Sequence, residues 1–181
     1  MSTTDPLEKL KYPIGKFAPE KNIDAMTIAG WIDDIAALPA QLRAAVEGLS
    51  SEQLETPYRP GGWTVSQVIH HIGDSHLNAY IRFKLALTEN TPTIKPYDQQ
   101  KWAELTEYSL FDPEDSLQFV ELLHKRWVVL LRSLAPDDLD RAFFHPETGK
   151  TVSLKRTLGL YAWHGKHHTA HITSLRERED W

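Results

Sequence analysis

Leu154-Lys155-Arg156-Thr157-Leu158-Gly159-Leu160-Tyr161-Ala162-Trp163-His164-Gly165-Lys166-His167-His168-Thr169-Ala170-His171-Ile172-Thr173-Ser174-Leu175 is the stretch on which the fold turns. Leu154, Leu158, Tyr161, Gly165, His168, Ile172 and Leu175 recur in alternating steps of four and three, the period of one helical face. A helix is therefore expected from about Ser153 to Arg178, with His168 in a slot that otherwise belongs to the core. His164 lies one turn earlier on the same side, whereas His167 and His171 point further from the stripe.

Working outward, three more segments carry the same period. From Asn22 to about Leu49 the residues Ile28, Trp31, Ile32, Ile35, Leu38, Leu42, Ala45, Val46 and Leu49 predict an amphipathic helix, kinked or interrupted at Pro39. Thr64 followed by Gln67 reads as a capping box that starts a second helix running to about Thr88. A third begins near Asp112-Pro113, carries Leu117, Val120, Leu123, Trp127, Leu130, Leu131 and Leu134, and stops before Pro136. Between these lie a turn-rich loop from Thr56 to Gly62, a linker with a short helix between Asp98 and Tyr108, and a small hairpin, with Ala142-Phe143-Phe144-His145 and Lys150-Thr151-Val152 as its strands. Pro6, Pro13, Gly15 and Pro19 argue against a regular helix in residues 1–22, which read as an extended arm packed on the rest. The fold expected is all-α: a four-helix bundle with an extended N-terminal arm and a hairpin before the last helix, one domain spanning 1–181.

Composition narrows the function. The 20 basic and 25 acidic residues leave a formal charge of −5, the wrong sign for attraction to nucleic-acid phosphates. Cysteine is absent, which removes disulfides, thiolate metal sites and cysteine nucleophiles together. The longest aliphatic and aromatic run, Trp127 to Leu131, is too short to cross a bilayer, and the N-terminus lacks a basic and apolar leader. A cytoplasmic protein with no nucleic-acid or membrane partner is expected.

Histidine is the informative residue. Five of the nine, His70, His71, His164, His167 and His168, fall in two tight clusters almost a hundred residues apart. Histidines at i and i+4 stack on one helical face close enough to share an ion, so His164 and His168 form a candidate metal pair. On the second long helix His70 and His71 flank opposite sides of the apolar face, and periodicity does not choose between them. His76 lies on the face itself, where a core histidine bonded to a carbonyl or hydroxyl is the simpler reading. The segment from His164 to His168 has no glutamate between the histidines, which disfavours a peptidase.

The runs Gly61-Gly62-Trp63-Thr64-Val65 through His70-His71-Ile72-Gly73-Asp74-Ser75-His76, and Trp163-His164-Gly165-Lys166-His167-His168-Thr169-Ala170-His171-Ile172, resemble the two histidine motifs of the DinB/YfiT-like proteins, most of all the YfiT-type metal-dependent hydrolases. The likeness extends to Tyr12-Pro13-Ile14-Gly15, Tyr80-Ile81-Arg82-Phe83-Lys84, Lys95-Pro96-Tyr97-Asp98 and His145-Pro146-Glu147-Thr148. It implies a four-helix bundle with one divalent ion per subunit, zinc or nickel, held by His71, His164 and His168; for an all-histidine set zinc is the first choice. It also implies a homodimer.

Three imidazoles leave a tetrahedral ion one open position, the arrangement of a catalytic site. Water there ionises near neutral pH, and the ion can polarise a carbonyl or hold a thiolate. The resemblance favours hydrolysis of a small molecule. The alternatives are a metal-dependent transferase of low-molecular-weight thiols and a non-catalytic ligand-binding or metal-binding stress protein. Asp74, one turn after His71, is a candidate to orient a ligand ring, and Lys95 to Asp98 a candidate rim of the pocket.

Overall fold

The computed structural model describes residues 5–20 and 22–181; Met1 to Thr4 and Lys21 lie outside the described residues. Four long helices make the body: α2 (Ala25–Val46), α4 (Val65–Thr88), α7 (Pro113–Ser133) and α8 (Leu154–Glu179). Shorter helices sit in the connections: α1 (Pro6–Lys11), α3 (Ser51–Leu54), α5 (Gln99–Ala103) and α6 (Glu107–Leu110). A 3-10 turn at Pro136–Asp140 precedes the hairpin β1 (Ala142–His145) and β2 (Lys150–Ser153), whose register pairs Ala142 with Ser153 and His145 with Lys150. Among the described residues no helix is long and apolar enough to cross a membrane.

The helix starts follow local chemistry. Thr64 caps α4 by accepting from the Gln67 amide at 3.2 Å, and the Gln67 side chain accepts from the Thr64 amide at 3.0 Å, the reciprocal box expected from the sequence. Asp24, Asp112 and Ser153 cap α2, α7 and α8 in the same manner with one side-chain bond each. The arm departs from expectation. Pro6 occupies the first helical position, where its missing N–H costs nothing, and Asp5 accepts from Leu7, so Pro6–Lys11 is a short helix and the extended chain begins after it. The single short helix expected between Asp98 and Tyr108 is two, α5 and α6.

Around the bundle, α2 packs on α7 and α8, and α4 packs on the same two helices. The long helices that follow one another in sequence, α2 and α4 and then α7 and α8, therefore face each other across diagonals. This order brings α4 beside α8, and thus the two histidine motifs together.

The core is divided in two. One apolar cluster gathers Ile35, Phe83, Trp127, Leu154 and Leu158; the other gathers Leu38, Leu42, Ile69, Ile72, Val120, Ile172 and Leu175. The interval between them on α4 holds His76, on α7 His124, and on α8 His164 and His168. A layer of imidazoles thus crosses the bundle between two dry halves. Pro39 does not interrupt α2, which runs through it from Ala25 to Val46. The carbonyl that proline deprives of its helical donor, that of Ile35, accepts instead from His124 Nδ1 at 2.7 Å.

Close approach of α8 to α2 depends on a missing side chain. A Cβ on Gly165 would lie 2.6 Å from Cδ2 of Leu38, itself fully buried, whereas a Cβ on the exposed Gly30 would meet nothing within 4 Å. Gly30→Ala should therefore stabilise the protein by up to about 1 kcal/mol through helix propensity. Gly165→Ala should destabilise it, overpacking of about 1–3 kcal/mol exceeding the same propensity gain. Chemical denaturation of the two variants checks the sign of each; stabilisation by both would show that Gly165 does not set the spacing of these helices.

Candidate metal centre

Consecutive residues on a helix point about 100° apart, so His70 and His71 leave α4 in different directions. His71 faces α8. Its Nε2 lies 3.4 Å from His164 Nε2, and its ring centroid lies 4.7 Å from that of His168. One nitrogen from each of His71, His164 and His168 falls within 4.8 Å of the others. His70 turns the other way, its Nδ1 2.7 Å from the Ser116 hydroxyl and its ring edge-on to Tyr108. The register that periodicity left open is thus resolved by what each ring meets.

The 3.4 Å separation fits a metal. Zinc–nitrogen bonds of about 2.0–2.1 Å in a tetrahedron place neighbouring ligand atoms about 3.4 Å apart. His168 Nδ1 is buried with no partner among the described residues. An all-imidazole set suits zinc and nickel alike and does not separate them.

Burial dominates the electrostatics. It holds His71 far below the ordinary imidazole value, at about 4, with nearby His171 adding to the effect, and it pushes His164 and His168 well down, followed by repulsion from the surrounding histidines. At neutral pH these rings are neutral and present lone pairs, the form in which imidazole binds a cation.

The remaining candidates divide. His167 lies against Trp163, with ring centroids 4.4 Å apart, and its Nδ1 has no partner among the described residues. His171 stacks on Tyr58 at 3.9 Å and donates from Nε2 to the Lys11 carbonyl at 3.0 Å, tying the end of α1 to α8. His167, His168 and His171 form a second group within 4.8 Å. Its members share one helix, and His171 Nε2 already serves a carbonyl. Asp74 does not orient a ring of the first group, since its carboxylate accepts the Tyr108 hydroxyl on the far side of α4. That position belongs to His76, whose Nε2 lies 3.1 Å from His164 Nδ1. Behind it stands His124, which lies outside the two histidine motifs; its place one turn after Val120 and one turn before Trp127 puts it on the apolar face of α7, the one signal the sequence offers for it.

A cavity of about 340 Å³ opens onto His164, His167, His168 and His171. Its wall carries Trp63, Trp163, Tyr12, Tyr58, Lys11 and Arg59 and, among the described residues, no carboxylate. Trp63 covers the His71 ring at 4.6 Å between centroids and donates to Gln100 at 3.1 Å. Lys95 to Asp98 do not line this cavity; Gln99 and Gln100, just after them, do. Asp98 instead caps α5.

Residues 34–172 match the model of the DinB superfamily. The chain belongs to the DinB superfamily. Among its relatives in that superfamily, "Putative metal-dependent hydrolase OB0782" of Oceanobacillus iheyensis is 57% identical over 171 residues, covering 94% of this chain and 98% of that protein. A Bacillus cereus (strain 03BB102) protein of the same general name is 57% identical over 176 residues, 97% of this chain and 100% of the other. The solved structure of YfiT from Bacillus subtilis, described as "a probable metal-dependent hydrolase with an unusual four-helix bundle topology", superposes with a TM-score of 0.93 at 49% identity, covering 96% of this chain and 99% of its own. The four-helix bundle protein TT2238, at 16% identity and a TM-score of 0.56, shares the fold.

The depressed histidines make stability depend on pH. His71, His124, His167 and His171 titrate at about 4 in the folded chain and near the ordinary value of about 6.5 when unfolded. Between those values the unfolded chain binds more protons, so the stability these neutral rings contribute is complete above about 6.5 and is lost as pH falls toward 4. Urea midpoints of the metal-free protein at pH 7.5, 6 and 5 should decline steadily, and a flat profile over that range would contradict this electrostatic picture.

Proposed function

We propose that this chain is a zinc-dependent hydrolase of a small molecule, with His71, His164 and His168 as the metal ligands. The approach of His71 Nε2 and His164 Nε2 to 3.4 Å beside an open cavity carries the proposal. The names given to its close relatives support it. A zinc ion held there by His71, His164 and His168 would supply Lewis acidity, to polarise a carbonyl and to activate water near neutral pH.

The chain's own residues define what is bound. Three neutral imidazoles add no negative charge, and Lys11 and Arg59 on the wall add positive charge, which favours a substrate carrying an anionic or strongly polarised oxygen. Arg59 is held in place, its Nε donating to the Tyr58 hydroxyl at 3.2 Å and an Nη1 proton to the Pro60 carbonyl at 3.0 Å. Trp63, Trp163 and Tyr12 give the cavity flat apolar walls for the body of a small ester or amide, and Trp63 covers the His71 ring.

Elemental analysis and turnover test this together. The purified protein should carry about one zinc per chain and hydrolyse members of an ester and amide panel without added thiol. His71→Ala, His164→Ala and His168→Ala should each lose most of the metal and the activity, while His167→Ala keeps the ion. Equal metal loss in folded His167→Ala would shift the site to the second histidine group. Products that appear only as thiol conjugates would replace hydrolysis with thiol transfer.

The homodimer is likewise a proposal. Phe119, Leu122 and Val129, exposed at helical spacing on α7, offer the apolar stripe that could meet a second copy. Sedimentation should give twice the chain mass for the wild type and a monomer for Leu122→Glu with Val129→Glu; a monomeric wild type would discard it.

A further inference from the structure

The Ile35 carbonyl released by Pro39 begins a chain of hydrogen bonds whose polarity is forced. A carbonyl only accepts, so His124 Nδ1, 2.7 Å away, carries a proton, and in the neutral ring its Nε2 is a lone pair. His76 Nδ1 lies 3.0 Å from that lone pair and must donate to it, which leaves His76 Nε2 as the acceptor. His164 Nδ1, 3.1 Å from His76 Nε2, donates in turn. The nitrogen remaining at the end is His164 Nε2, necessarily a lone pair, and it is the atom that faces His71.

We propose that Pro39, His124 and His76 are a positioning relay that fixes the tautomer and ring orientation of His164, so that a backbone carbonyl of α2 dictates which nitrogen of α8 is offered to the cation. The inference rests on the three-histidine metal reading and adds to it residues that do not touch the ion. The two ends agree independently: the polarity that the carbonyl imposes leaves the lone pair where a ligand needs one. His76 and His124 are 0% and 1% exposed, so water does not compete for these bonds. The relay passes through all four long helices, from α2 through α7 and α4 to α8. It also contains no carboxylate. A ligand oriented by neutral rings is less basic than one oriented by an aspartate, and it leaves more of the cation's charge available to a substrate oxygen.

Two measurements test this. In metal-free protein labelled with nitrogen-15 at histidine, long-range proton–nitrogen spectra at neutral pH should show His76, His124 and His164 each protonated at Nδ1 and bare at Nε2; a proton on Nε2 of His76 or His124 would overturn the relay. In zinc competition titrations His124→Leu, which removes the acceptor for His76, should bind about 10- to 100-fold more weakly than wild type, as loss of a ring-orienting partner does. His124→Gln, whose side-chain carbonyl can accept from His76 near the former Nε2 position, should recover most of that loss. A folded His124→Leu protein that binds zinc as tightly as wild type sinks the relay alone, whereas a wild type that binds no zinc sinks the metal reading on which it depends. Should His124→Leu fail to fold, the wild-type spectra decide.

Discussion

A buried imidazole must find a partner for each of its nitrogens or lose about 1–3 kcal/mol for every one left bare, and this bundle buries several at one level. Its solution is to pass the requirement from helix to helix until it reaches a backbone group that can absorb it. Pro39 creates that group by withholding one N–H from α2, and the freed Ile35 carbonyl accepts a hydrogen bond from His124 Nδ1. A proline inside a long helix is ordinarily a cost. Here the vacancy it leaves is filled by a side chain from a neighbouring helix, and α2 continues unbroken.

The same layer explains why the core is two clusters. Apolar clusters on either side, with Phe83 and Trp127 in one and Leu42 and Ile69 in the other, flank the histidines, and Trp127 packs edge-on against both His76 and His124. Desolvation then keeps the rings neutral, which is the state a cation requires. Packing, protonation and ligand geometry are thus consequences of one arrangement. The cavity side of the layer is different in character, being open to solvent and lined with aromatic rings and cations beside the histidines of α8. Lys11 and Tyr12, which the N-terminal segment brings to this wall, are held there by the bond from His171 to the Lys11 carbonyl.

Function in such a site is set by charge as much as by ligand identity. Neutral donors, no carboxylate among the described residues of the cavity wall, and nearby Arg59 make it electropositive within a chain of net charge −5. That contrast is local and would not be visible in any overall property of the protein.

Much of this was written in the one-dimensional pattern. The alternating three- and four-residue steps on α8, the capping box at Thr64 and Gln67, and the hairpin before Leu154 depend on neighbours in the chain, so the elements and the bundle class were legible without coordinates. The histidine motifs were legible too, because i and i+4 spacing fixes His164 and His168 on one face. What the pattern left open was every question of what lies opposite. Whether His70 or His71 turns inward, that His76 rather than Asp74 meets His164, and that Pro39 frees a carbonyl for His124 are decided by the diagonal order of the four helices. That order joins residues some ninety positions apart, and periodicity along a single helix carries no information about which face of which other helix it will meet.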